Sequence, residues 1–116
     1  VLGARSGLDA SEEAVKKAAK DAGRTPPKVL KLELDVTNPA SVAQAAAEVE
    51  TSAGRLDVLV NNAGLIDMTM IQDSDPETWW RVWEVNVKGP YLIARAFLPL
   101  MLKHEDSLKR VVTTAR

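Results

Sequence analysis

The chain has 116 residues, of which 46% are apolar and 27% charged, with a formal net charge of −1 and no cysteine. That is enough for one ordinary core and no more, and the balanced charge excludes a broad attraction to nucleic acid or acidic lipid. Without cysteine there is no disulfide framework or thiolate site, and His104 alone makes no metal cluster, so no metal site is expected.

The apolar run Tyr91-Leu92-Ile93-Ala94 gives way to Arg95, Pro99 and Lys103, well before the ~20 residues that cross a bilayer. No membrane span is expected. The opening Val1-Leu2-Gly3-Ala4-Arg5 is too short for the apolar part of a signal peptide, roughly 7–15 residues, and reads as a chain that starts inside a structural element. A cytoplasmic location is the corresponding expectation.

Val1-Leu2-Gly3-Ala4 reads as a short buried strand closed by the turn chemistry of Arg5-Ser6-Gly7. A helix follows from Ser11. Its hydroxyl suits a cap, Glu12 and Glu13 suit the positive end of a helix dipole, and Ala14, Val15, Ala18 and Ala19 recur on one face until Gly23. Pro26 and Pro27 break helical geometry. Val29, Leu30, Leu32, Leu34 and Val36 then form a β-compatible run with charges at Lys31, Glu33 and Asp35.

Asn38-Pro39 supplies a cap and first-turn residue for a second helix, which runs past Val42 and Val49 and closes near Gly54. Leu56-Asp57-Val58-Leu59-Val60 is a third, apolar strand running directly into Asn61-Asn62-Ala63-Gly64. The longest helix starts at Asp75-Pro76-Glu77, with bends or breaks predicted at Gly89, Pro90 and Pro99. A loop around residues 104–107 leads to a last strand over residues 110–114. The order is β-α-β-α-β-α-β, which predicts a parallel α/β sheet with right-handed crossovers and ligands beyond the carboxyl ends of the strands.

The residues after those strand ends are therefore the candidates. Arg5 could bind an anionic phosphate in bidentate fashion, or be a solvated loop arginine. Asp35 could accept from an amine-bearing ligand and Val36 could pack an aromatic ring; equally, Asp35 could organise a turn and Val36 could be core. In Asn61-Asn62-Ala63-Gly64, small residues let backbone approach a bulky ligand while the amides tie neighbouring segments together, although Asn and Gly are also ordinary turn residues. Asn86 interrupts an apolar helix between Val85 and Val87, where it could bond a water or a freed carbonyl or simply satisfy backbone. Trp79, Trp80 and Trp83 recur at helical spacing; core weighs more heavily than interface for them.

Together these residues resemble the short-chain dehydrogenases/reductases. The resemblance rests on Leu34-Asp35-Val36, then residues 56–64 ending in Asn61-Asn62-Ala63-Gly64, then Val85-Asn86-Val87-Lys88-Gly89-Pro90, in the family's order and approximate spacing. It implies an incomplete Rossmann-type, doubly wound parallel sheet with flanking helices over residues 1–116, binding NAD or NADP beside a small carbonyl or alcohol substrate. Asp35 and Val36 would border the adenine, and Asn62, Ala63 and Gly64 would line the cofactor cleft. Asn86 would be the asparagine of the catalytic tetrad, at a helix irregularity where it holds a relay water. Arg5 would favour the 2′-phosphate of NADP over NAD, no Asp or Glu standing at the tip of that strand; Asp9, farther on, is a helix-start residue. The long helix carrying Asn86 often contributes to homo-oligomer contacts in that family.

Parts of the family pattern are not in these 116 residues. The glycine-rich turn Gly-x-x-x-Gly-x-Gly, whose strand would lie between the first and third strands here, has no match, and neither has Tyr-x-x-x-Lys. Tyr91 is followed by Arg95 and should not be promoted to catalyst. The family's serine position falls near Arg116, so neither Thr113 nor Thr114 takes that role. The expectation is a fragment of an NAD(P)-dependent oxidoreductase, inactive in isolation. The alternatives are a non-catalytic α/β interaction module and a truncated gene product with no autonomous function.

Overall fold

A computed structural model describes residues 1–114, within which the chain forms two compact units, Val1–Asp35 and the remainder from Val36 onward. The position of Arg116, the nearest match to the family's serine, lies outside the described residues.

In the first unit, strand β1 (Leu2–Ala4), helix α1 (Leu8–Asp21) and strand β2 (Lys31–Glu33) form a β-α-β arrangement in which the strands pair in parallel, Gly3 opposite Leu32. Glycine at position 3 follows from packing: a Cβ there would lie 2.8 Å from Leu34 Cδ2. β2 shows the alternation read from sequence, with Leu32 buried between exposed Lys31 and Glu33. It is shorter than the β-compatible run.

Two details of α1 differ from expectation. The helix begins one turn earlier than Ser11: Gly7, at φ 75°, takes the N-cap position without a side-chain cap. The Ser11 hydroxyl instead donates back to the Gly7 carbonyl oxygen at 3.1 Å. Glycine reaches the left-handed region at little cost, so the chain can turn into the helix as soon as the strand ends. The apolar face of Ala14, Val15 and Ala18 is also exposed rather than buried. What holds α1 to β2 is ionic, Lys31 Nζ meeting Asp9 at 2.5 Å and Glu12 at 2.9 Å.

The second unit contains helix α2 (Pro39–Ala53), strand β3 (Val58–Asn61), helix α3 (Pro76–Trp83), a π-helical turn at Glu84–Lys88, helix α4 (Gly89–Leu102) and strand β4 (Arg110–Thr113). Asn38 caps α2 as predicted, its Oδ1 accepting from the amides of Ala40 and Ser41 at 2.9 and 3.3 Å. Gly54, at φ 70°, closes it. The core of this unit is the seam of α2 against α4: Val42, Ala45 and Val49 meet Ile93, Phe97, Leu100 and Met101, all buried. Lys103 Nζ on Glu50 at 2.9 Å and His104 Nε2, 3.1 Å from the Gly54 carbonyl oxygen, finish the end of that seam.

β3 and β4 pair in parallel, Leu59 opposite Val111 and Asn61 opposite Thr113. At their start, Arg55 clasps Asp57 through Nε (3.1 Å) and Nη2 (2.6 Å) and reaches Asp106 at 3.3 Å. The Asp57 hydrogen bonds hold the guanidinium pKa up further, and Arg55 holds the Asp57 carboxyl below its ordinary range. The strands form two two-stranded parallel sheets, the split expected where the family's strand between β1 and β3 is not among these residues, and each strand has one paired neighbour among the described residues. Three- and four-residue strands satisfy few backbone groups, and Val58 and Val60 remain 41% and 55% exposed. The architecture is a partial Rossmann-type α/β fold with parallel strands and flanking helices.

Candidate active site and cofactor cleft

Candidate residues sit beyond strand ends in both units. In the first, Arg5 follows β1 and Asp35 follows β2, so both lie at the carboxyl end of the parallel pair. Arg5 is exposed, and no carboxylate among the described residues pairs with it. Asp35 is half-buried. Asp9 occupies the first turn of α1, the helix-start role expected of it.

In the second unit, Asn61-Asn62-Ala63-Gly64 begins inside β3 and leaves its carboxyl end. Asn62, Ala63 and Gly64 are exposed. The Asn62 amide does tie segments together: its Oδ1 accepts from the Thr114 hydroxyl at 3.0 Å, and the Asn61 carbonyl accepts from the Thr114 amide at 3.0 Å. The turn is thus anchored to the end of β4, a role for Thr114 that its sequence position did not signal.

Asn86 lies at the middle of the π-helical turn. Its amide makes a two-way bond to the backbone of Leu65, Oδ1 accepting from the Leu65 N–H at 2.9 Å and Nδ2 donating to the Leu65 carbonyl oxygen at 2.7 Å. Asn86 Oδ1 is also the nearest atom, at 3.6 Å, to a Cβ built on Gly64. The two sequence motifs therefore meet directly. The predicted helix irregularity falls across Glu84–Lys88, where the Gly89 amide donates to the Glu84 carbonyl five residues back. Such π-turns are rare and occur mainly at functional sites.

Val36 is half-buried and faces the same segment: a Cβ on Gly89 would lie 2.9 Å from Val36 Cγ2 and 3.3 Å from its Cβ. Gly89 thus lets Val36 close onto the start of α4.

Beyond Gly64 lies an open depression of about 320 Å³ that no sequence motif signalled. Asn86 forms one edge; Leu65, Ile66, Ile71, Trp79 and Val82 form apolar walls. The only available signal was composition, Leu65, Ile66, Met68, Met70 and Ile71 falling in a segment otherwise of turn residues. Trp79, Trp80 and Trp83 are 46%, 56% and 47% exposed, which corrects the core reading. α3 packs chiefly against the adjoining π-turn, which leaves the indoles partly exposed. Tyr91 is likewise exposed.

The sequence model for short chain dehydrogenases matches residues 3–115. A short chain dehydrogenase of Monascus purpureus is 60% identical over 103 residues, covering 88% of this chain and 35% of that protein. Among solved structures, a short-chain type dehydrogenase/reductase from Mycobacterium marinum superimposes with a TM-score of 0.78 at 28% identity, covering 97% of this chain and 43% of the other. An alcohol dehydrogenase from Thermococcus sibiricus complexed with 5-hydroxy-NADP gives 0.72 at 30% identity, covering 88% and 42%. The chain spans between about a quarter and a third of the length of curated relatives it matches. With the Asn61-Asn62-Ala63-Gly64 turn bound to the Asn86 π-turn and the family match running along nearly all of its length, this chain belongs to the short-chain dehydrogenase/reductase family of oxidoreductases.

Proposed function

We propose that the polypeptide carrying this segment is an NADP-preferring oxidoreductase that interconverts a carbonyl and an alcohol, and that residues 1–116 alone are inactive. The observation that carries the reading is the paired hydrogen bond between Asn86 and Leu65, which joins the turn next to the cofactor to the helix defect next to the chemistry.

The residues present suit a nicotinamide dinucleotide. Ala63 and Gly64 are small and exposed, so backbone is accessible at the end of β3. Arg5 is an exposed guanidinium with no carboxylate partner among the described residues, suited to a 2′-phosphate. Asp35 and Val36 would border the adenine, and Asn62, Ala63 and Gly64 the cleft. When bound, the nicotinamide supplies the hydride donor or acceptor at C4. Asn86 has both side-chain polar atoms engaged by Leu65, so its contribution is to hold the π-turn. A carbonyl freed by such a turn would accept from a relay water.

Purified full-length polypeptide should oxidise NADPH in the presence of an aldehyde or ketone and bind NADPH more tightly than NADH; equal affinities would remove the argument from Arg5. The flanking coding sequence is an independent check. A glycine-rich turn upstream and Tyr-x-x-x-Lys downstream support the enzyme, whereas start and stop signals without them defeat it. No helix among the described residues is long and apolar enough to cross a membrane. A cytoplasmic location is part of this reading, testable by fractionation.

The exposed Trp79, Trp80 and Trp83 favour a second element of the reading, homo-oligomer contacts along the helices that flank Asn86. The same surface is what a non-catalytic interaction module would present. Light scattering of Trp80→Ala decides: an unchanged mass counts against an interface there, and a complex without NADPH turnover would favour the module.

A further inference from the structure

α1 is closed by Gly23, at φ 68°, and by the Arg24 amide, which donates to the Ala19 carbonyl oxygen at 2.8 Å. The segment that follows, Thr25-Pro26-Pro27-Lys28, is exposed throughout and makes no hydrogen bond among the described residues. Thr25 precedes Pro26 and Pro26 precedes Pro27, so sterics alone hold both extended. Two features set Thr25 apart from the other hydroxyls. It is the only serine or threonine in the 116 residues that a proline follows. Its hydroxyl is also unengaged, whereas those of Ser11, Thr51, Ser74, Thr78, Ser107 and Thr114 donate to carbonyl or carboxylate oxygens.

The charges around Thr25 favour an added anion. Lys16, Lys17, Lys20, Arg24 and Lys28 make residues 16–28 a basic stretch in which Asp21 is the one carboxylate. Neither Arg24 nor Lys28 pairs with a carboxylate among the described residues. The segment is also separate from the proposed cofactor site: it enters β2 at its amino end, whereas Arg5 and Asp35 follow the carboxyl ends of β1 and β2.

We infer that Thr25 is a phosphorylation site for a proline-directed protein kinase. A kinase holds its acceptor peptide extended, the conformation that Pro26 and Pro27 impose beforehand, so little ordering entropy is lost on binding. A kinase pocket that offers no acceptor to the residue after the hydroxyl strands the N–H of any ordinary amide there, and Pro26 has no N–H to strand. Lys28, three residues beyond Thr25, supplies a cation for an anionic group on the kinase. In the transfer, Thr25 Oγ1 attacks the γ-phosphorus of ATP. The Oγ1–P bond forms as the P–O bond to ADP breaks, ADP leaves with that electron pair, and the hydroxyl proton passes to the kinase's base. The product sets a charge of about −1.5 to −2 between Arg24 and Lys28, which are free to bond it. Phosphorylation of Thr25 requires nothing of the oxidoreductase reading.

Full-length polypeptide incubated with ATP and a cyclin-dependent kinase provides the test, with the modified residue located by peptide mass spectrometry. One phosphoryl group should appear on the peptide that carries Thr25. Thr25→Ser should retain it and Thr25→Val should lose it. Pro26→Ala, which restores an N–H, should lower the kinase's kcat/KM for this polypeptide at least about tenfold, and Lys28→Ala should lower it several-fold. These positions are exposed and unbonded, so the variants should keep the parent's circular dichroism. No phosphate on Thr25, as when another polypeptide segment covers it, or equal modification of Pro26→Ala and the parent, would overturn the assignment.

Discussion

Single side chains do most of the joining around the proposed site. Asn86 binds both polar backbone atoms of Leu65, so Asn86→Ala frees an amide and a carbonyl together. A net hydrogen bond of about 1 kcal/mol corresponds to roughly fivefold faster exchange of the Leu65 amide. Hydrogen-exchange NMR reads it, and Asn86→Asp, which keeps the acceptor, should leave that amide protected. Gly89 makes a second, steric prediction. Gly89→Ala drives a methyl to within 2.9 Å of Val36 Cγ2, in the buried start of α4. It should destabilise by about 1–3 kcal/mol in urea unfolding. Combined with Val36→Ala the loss should shrink, because the second change removes the atoms that collide. Asn86 was conspicuous in the sequence as an amide among valines; its partner Leu65 was not, because a backbone contact across 21 positions leaves no mark on residue type.

Among the elements, caps were the most legible feature, since they depend on residues a few positions apart. Asn38 and Asp75 both sit where a side-chain oxygen before proline predicts a helix start. Asn38→Ala removes the acceptor for two α2 amides and should cost about 1 kcal/mol, read by thermal unfolding. Asp75 adds a pH dependence. Its carboxylate accepts from the Thr78 amide and hydroxyl, each at 2.8 Å, and these bonds hold its pKa below the ordinary 3.8. A lowered folded value means the contribution is fully present above 3.8 and is lost as pH falls through the lower folded value. Tryptophan fluorescence from α3 should therefore change on acidification below about pH 4, and Asp75→Asn should flatten that change. An acid response unaltered in Asp75→Asn would assign it elsewhere. Ser11 shows where local reading stops: its hydroxyl suits a cap, but Gly7 three residues after β1 turns the chain first. Strand lengths were overestimated for a related reason. An alternating pattern marks positions able to join a ladder, whereas the ladder's extent depends on a neighbour being there to pair.

At the scale of the molecule, burial is unequal. Leu32 is the buried apolar side chain of the first unit, while the α2–α4 seam buries seven in the second. Met101, only 1% exposed, lies in that seam. Met101→Ala should destabilise the second unit by about 2–5 kcal/mol, measured by denaturant midpoint. In residues 1–116 alone, hydrogen exchange should find the α1 amides exchanging faster than those of α2 and α4, because few apolar contacts oppose local opening of α1. Comparable protection would show that the ionic contacts of Lys31 with Asp9 and Glu12 suffice. By itself the sequence determined the element order, the parallel α/β class, the helix caps and the family, because these follow from periodicity, residue type and motifs of a few residues. Only the tertiary structure decided that Leu65 holds Asn86, that Thr114 anchors the Asn62 turn, that Gly89 admits Val36, and that the tryptophans of α3 face solvent beside an open depression. These depend on which distant segments meet in space, and spacing along the chain carries no record of that.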